Sequence, residues 1–452
     1  MLWPRPRPTP AMLLTALWIL TADALAQDPP AEEPAPAEEP APAEEPAPAE
    51  EPAPAPAEAT TVEAPEAVEA PRLWKVAALP LVAFSSDTGP GGGFYALYVR
   101  KNPEDPNGLW KMRLSTQLYA TSRGYRDHWV KLDVPNIFGS SFRWDIMAGW
   151  ERWDYAPYYG YGNNTDRIPP ADIEAQWGEE ALKQYYYYKL DGAKVLTNLR
   201  RNLGGDFDLF MNYYMRFANI TPYENSLLNE EQPLGVGSGL YTRLSVGVML
   251  DTRNTEPTPT KGMFSEVSVR ASAPWTASVW DGAQHSTYGV NLIDRRYFNL
   301  VGDGRVVLAN RVIVDMRWGE DPFYMQDMLG GSQWISTGGN MAWRGYSWGR
   351  FRGDAVAIWT PELRTKLVRI GGEKHGLEIM AVPFMDLGRV WLWEGEEGDE
   401  PSHLHLAGGL GTRWIWDKDM VIRADIGFGR EEFQDGTVDS NMGIYLTFDH
   451  PF

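Results

Sequence analysis

The run Trp343-Arg344-Gly345-Tyr346 stands in the stretch 320–354, which carries no strand pattern, while the chain around it alternates apolar and polar residues. An arginine on such a loop has one obvious chemistry: its planar guanidinium can fork onto carboxylates. Two carboxylates are well placed for it. In the segment 355–368, period two puts Glu362 on the side of Val356, Ile358, Arg364 and Lys366, opposite an apolar face of Trp359, Pro361 and Leu363. In 376–391 the same rule puts Asp386 with Phe384 and Gly388, opposite Ile379, Ala381, Met385 and Leu387. Both carboxylates are therefore expected to face one interior. A charge held in an interior without a partner is costly, so Arg344 is expected to meet Asp386 and Glu362.

Other constellations are weaker. Gly345-Tyr346-Ser347-Trp348-Gly349 has the letters of a nucleophile elbow, but an elbow needs a strand-to-helix turn in an α/β sheet, and an alternating all-β chain offers none. His403 and His405, two apart on one predicted strand, face the same way and could hold a metal. An interface or turn role is the expectation for them, and for His285. Cysteine is absent, which removes disulfides, thiol catalysis and Cys-based metal sites. No catalytic residue, cofactor or metal is expected.

Turn residues cut the body into sixteen alternating runs near 72–86, 91–101, 109–122, 127–136, 142–155, 183–199, 203–222, 239–254, 262–274, 285–299, 305–319, 355–368, 376–391, 404–417, 420–431 and 440–452. In the fifteenth, Met420, Ile422, Ala424, Ile426 and Phe428 oppose Val421, Arg423, Asp425, Gly427 and Gly429. In the eleventh, Val306, Leu308, Val312, Val314 and Met316 oppose Arg305, Arg311, Asp315 and Arg317. Lipid outside and a polar lumen inside explain both patterns. An alternating chain must also protect its edges, and closure does so. The expected fold is all-β: a sixteen-stranded antiparallel transmembrane β-barrel with a long inward-folded loop between strands eleven and twelve. Connections alternate short and long, as in outer-membrane barrels. The stretch 170–182 could hold a short helix. The composition, with 20 Trp, 21 Tyr and 16 Phe, suits aromatic girdles. Tyr158–Tyr161 and Tyr185–Tyr188 are expected to form them.

The N-terminal stretch reads as a signal peptide, 1–26: Arg5 and Arg7, an apolar run from Ala11 to Leu20, then Ala24-Leu25-Ala26 before Gln27. Residues 27–71 read as a disordered Pro/Ala/Glu-rich leader with thirteen acidic residues and no basic one. The net charge is −20; with the leader and the single net positive charge of residues 1–27 set aside, the body 72–452 carries −8. A mildly acidic body argues against nucleic-acid binding. No run of eighteen apolar residues follows the signal, so any crossing of the membrane is by strands.

Four segments resemble the BamA/TamA-like outer-membrane assembly factors, also called bacterial surface antigens. The loop segment Gly338-Gly339-Asn340-Met341-Ala342-Trp343-Arg344-Gly345-Tyr346 is similar to that family's Val-Arg-Gly-Tyr tip, with Trp in first place. Thr360-Pro361-Glu362-Leu363-Arg364 follows it, and Phe384-Met385-Asp386-Leu387-Gly388 resembles the family's Phe-x-Asp-x-Gly strand. Asp251-Thr252-Arg253-Asn254 with Pro259-Thr260-Lys261-Gly262 resembles its turn between strands eight and nine. The resemblance implies that Arg344, Gly345 and Tyr346 are locked inside the barrel on Glu362 and Asp386. It also implies that Asp251, Arg253 and Gly262 build the turn, and that Phe452 is an outward-facing C-terminal barrel signal. A barrel-only member without POTRA domains is expected, acting in outer-membrane protein or lipid biogenesis through a lateral seam. Its partners would be outer-membrane lipid and, beyond that, unfolded outer-membrane proteins or periplasmic factors. A plugged channel or passive pore is the alternative.

Overall fold

The computed structural model describes residues 74–102, 110–163, 165–256, 258–280, 285–372, 376–395, 403–416, 420–448 and 452. The expected signal peptide and leader lie outside them. Sixteen long strands are present: β1 Trp74–Ser85, β2 Gly89–Lys101, β3 Trp110–Thr121, β4 Tyr125–Val134, β5 Phe142–Pro157, β6 Tyr187–Gly204, β7 Phe207–Pro222, β8 Gly237–Asp251, β9 Gly262–Ser272, β10 Thr287–Asn299, β11 Val306–Gly319, β12 Ala355–Gly371, β13 Gly376–Trp391, β14 His405–Trp416, β15 Met420–Glu432 and β16 Val438–Phe448. Each pairs antiparallel with its neighbour in sequence, and β1 returns to β16, so the sheet closes as a barrel. A short piece, Val279–Trp280, adds to β8 beside β9.

The alternation in the sequence becomes the two faces of the wall. On β15, Ile426 and Phe428 are exposed, while Val421, Arg423, Asp425, Gly427 and Gly429 are buried. Leu410 on β14, Trp359 on β12 and Val269 on β9 are likewise exposed. The inward set is instead charged and buried: Arg311 and Asp315 on β11, Glu362 and Arg364 on β12, Asp386 on β13. With no water in a bilayer to satisfy a free backbone, closure is what makes such a wall possible.

The closure is uneven. All twelve residues of β1 pair with β2, from Trp74↔Arg100 to Ser85↔Gly89. Among the described residues, β1 and β16 are in register at two positions, Phe84↔Leu446 and Ser85↔Tyr445, with a further bond from Ser86 N–H to the Ile444 carbonyl at 3.0 Å.

Two expectations fail. Phe452 does not extend β16 outward along β1. It is buried against Tyr297, Val307 and Ala309, and its carbonyl accepts from Arg364 Nη2 at 3.0 Å. The guanidiniums of Arg311 and Arg364, 4.6 and 5.0 Å from the Phe452 ring, supply an inward seat for it. The tyrosines at 158–159 and 185–188 are not a lipid girdle either. Tyr159, Tyr185 and Tyr186 are buried together under helices α1 Pro170–Trp177 and α2 Glu179–Leu182, and Tyr158 and Tyr188 are buried against Phe323 of the lumen loop. A girdle and a loop core are both aromatic, and composition does not separate them. β6 consequently starts at Tyr187 rather than 183. A third helix, α3 Leu227–Glu231, capped by the Ser226 side chain, was not expected from the pattern.

Candidate functional site

The loop 320–354 folds into the lumen, and its tip meets the inner faces of β12 to β16. Arg344 is fully buried. Its backbone N–H donates to Asp386 Oδ2 at 2.8 Å, its Nε to the same oxygen at 3.0 Å and its Nη2 to Asp386 Oδ1 at 3.0 Å. Nη1 donates to Glu362 Oε1 at 2.6 Å and to Asp425 Oδ2 at 3.3 Å. The guanidinium lies 3.5 Å over the Phe384 ring. The wall adds Arg364, whose Nε is 3.0 Å from Glu362 Oε2, and Arg413, which reaches both Glu362 and Asp425. Three buried carboxylates and three buried arginines thus pair with one another, which is the condition under which buried charge is tolerated.

The backbone is fitted to this contact. Gly345 has φ +124°, and a Cβ there would stand 2.6 Å from the Phe428 carbonyl carbon. A Cβ on Gly427 would stand 2.2 Å from the Arg344 carbonyl oxygen. Glycine on both sides is what lets loop and strand touch. Trp343 takes φ +51°, an uncommon choice for a large residue, and is held by a bond from Nε1 to the His405 carbonyl at 3.1 Å. The Tyr346 hydroxyl donates to the Leu406 carbonyl at 3.2 Å and accepts from Arg430 N–H at 3.1 Å.

The loop also touches both sides of the weakly paired closure. The Tyr445 hydroxyl on β16 donates to the Tyr346 carbonyl at 3.3 Å. In the β1–β2 turn, Asp87 Oδ1 accepts from Trp348 N–H at 3.1 Å. Burial pushes the Asp87 carboxyl up from 3.8 to about 6, against the hydrogen bonds from Trp348 and Ser85 and the charge of Arg123. Further back along the loop, Asp315 accepts from Gly330 N–H at 3.1 Å and Glu266 from Ser332 N–H at 2.9 Å.

Sequence reasoning gave Arg344, Gly345, Tyr346, Glu362 and Asp386, and the structure brings these five together. It did not assign Asp425, Arg413, Asp87, Tyr445 or Glu266. Asp425 was readable as lumen-facing, and its cross-strand partner Gly411 leaves it room; the register that aims it at Arg344 was not readable. The turn residues lie elsewhere. Arg253 forks onto Asp251 at 2.8 and 2.7 Å, and Gly262, with φ +94°, passes so close that a Cβ would stand 2.2 Å from the Thr252 carbonyl oxygen. His405 bonds Asn163 and stacks on Phe351. Among the described residues no cluster of three or more His, Asp or Glu side chains could hold a metal. Ser347 lies in the lumen loop, not at a strand-to-helix turn.

Residues 124–452 match the Omp85 superfamily domain. The chain belongs to the Omp85 superfamily. This Omp85 barrel also resembles the crystal structure of BamA from Haemophilus ducreyi lacking POTRA domains 1–3, at 13% identity over 83% of this chain and 70% of that chain, with a TM-score of 0.55. CdiB from Escherichia coli is similar at 14% identity over 82% of this chain and 62% of that chain, with a TM-score of 0.47. No curated protein matches the sequence. The Omp85 assignment makes the chain an outer-membrane β-barrel.

Proposed function

We propose that this protein acts in outer-membrane protein or lipid biogenesis through a lateral seam between β1 and β16, with the Arg344 cluster locking the lumen loop. The observation that carries this reading is the closure: among the described residues, two register positions between β1 and β16, against twelve between β1 and β2. Backbone groups left without a ladder partner in lipid are costly, so a short ladder favours opening here over any other strand pair. The loop then acts as a staple, through Tyr445 on one side and Asp87 on the other. Outer-membrane lipid, unfolded outer-membrane proteins and periplasmic factors are the partners this reading calls for. Residues 1–26 would export the chain and be cleaved, and 27–71 would serve as a disordered leader. Depletion in cells tests the proposal. Loss of other outer-membrane proteins or lipids from the membrane inventory is the expected result; an unchanged inventory contradicts it.

A plugged channel is the second reading, supported by a cavity of about 1080 Å³ beside the loop. It requires a steady ion conductance in planar bilayers that increases when the Arg344 lock is broken, with no effect of depletion on other membrane proteins.

A further inference from the structure

The luminal cavity of about 1080 Å³ is lined by eight cationic side chains and three carboxylates. Six of the cations are matched. Lys194 and Arg216 share Glu151, and Arg352 meets Asp327. Lys131, Arg143 and Arg253 meet Asp145, Asp133 and Asp251 just beyond the lining. Arg200 and Arg295 have no carboxylate at ion-pair distance among the described residues, and the Nε of each is buried without a hydrogen-bond partner.

Their settings make this costly. Arg200 on β6 stands directly opposite Arg143 on β5, and Arg295 on β10 directly opposite Arg311 on β11. Like charges paired across strands destabilise a sheet. The comparable pair Arg413 and Arg423, also directly opposite, has Asp425 beside it. Glu266 lies within electrostatic reach of both Arg200 and Arg295 but pairs with neither, and its oxygens accept from the loop, from Ser332 N–H and Oγ. Arg253 and Arg295 both lie over the Phe264 ring, at 5.0 and 5.1 Å, which fixes two guanidiniums close together. Arg295 is 5% exposed, so its charge is largely withdrawn from solvent.

We propose that this cavity is a binding site for a phosphate-type oxyanion, held by Arg200, Arg253 and Arg295. A multivalent oxyanion accepts several N–H bonds at once, suits the guanidinium fork and offsets the like-charge pairs. The site lies apart from the Arg344 cluster, and its existence does not depend on whether the seam opens. A soluble phosphate compound and an anionic lipid headgroup share the required chemistry.

The test is calorimetric titration of the folded, full-length protein with inorganic pyrophosphate at fixed ionic strength. Wild type should bind, and Arg200→Gln/Arg295→Gln should bind at least tenfold more weakly. Arg305→Gln, which alters an arginine 68% exposed in the β10–β11 turn, should bind as wild type does. Should the double variant fail to give a heat-modifiable barrel, Arg200→Gln alone, on a half-buried site, carries the comparison with a loss of at least threefold. Absence of pyrophosphate binding by folded wild type overturns the proposal, as does equal binding by wild type and the folded charge variant. In nanodiscs, weaker pyrophosphate binding with phosphatidylglycerol than with phosphatidylcholine alone identifies the headgroup as the occupant; equal binding identifies a soluble anion.

Discussion

Arg344 places one guanidinium among Asp386, Glu362 and Asp425, so removing any member leaves the others charged and short of partners. Arg344→Ala and Asp386→Ala should each cost about 3 kcal/mol of barrel stability, the low end for a broken buried pair because a lumen admits some water. The double variant should lose less than the summed singles, by ~0.5–3 kcal/mol of coupling, in denaturant unfolding followed by tryptophan fluorescence. Arg344→Lys should recover little, because a point charge cannot fork onto Asp386. Strictly additive losses would count against the lock. Gly427→Ala should be as harmful as a charge deletion although it removes no contact, since its Cβ would meet the Arg344 carbonyl oxygen at 2.2 Å. Period two alone gives the side on which Glu362 and Asp386 lie. It cannot give Asp425 as the third acid, nor Gly427 as the groove for the loop, because both depend on the register of β14 and β15 and on where the tip lands.

Strands were the most legible elements, since lipid on one face and charge on the other impose an unbroken period of two. The loops were not, because their order comes from long-range contacts that no local pattern encodes. Arg350, for example, bonds the Thr165 carbonyl at 2.8 Å across the lumen mouth, and the tyrosines near 158 and 185 make a core with α1 rather than a girdle. Asp87 is another such contact, and it gives the loop a pH dependence. Its carboxyl is raised to about 6 from 3.8, so between these values the folded protein binds more protons than the unfolded chain. Lowering the pH from 7 to 4.5 should therefore remove a cost and stabilise the docked loop. Partial exposure of Asp87 limits the gain to about 1 kcal/mol. The check is the difference in melting temperature between wild type and Asp87→Asn across that range. The wild type should gain relative to the variant as pH falls; a constant difference would show that Asp87 does not carry the effect.

For the whole molecule, the closed sixteen-stranded architecture followed from counting alternating segments, whereas the manner of closure did not, because pairing between the first and last strands leaves no trace in either one. The inward turn of Phe452 belongs to that closure. Deleting Phe452 removes the ring packed on Tyr297 and Val307 and the acceptor for Arg364, and should lower the amount of heat-modifiable, folded barrel in outer membranes. Unchanged folded protein would mean that this seat is incidental. Joining residues 1–26 directly to Arg72 should leave insertion intact, since a segment with the composition of 27–71 has little to bury. The seam is tested most directly by locking it. Cysteine is absent from the sequence, and Phe84 and Leu446 are register partners on β1 and β16, so Phe84→Cys/Leu446→Cys can place one disulfide across the closure. In depleted cells, the oxidised variant should fold and reach the membrane yet fail to restore the inventory of outer-membrane proteins or lipids, and reductant should rescue it. Full restoration by the oxidised, demonstrably cross-linked barrel would contradict the proposal that this protein works by opening between β1 and β16.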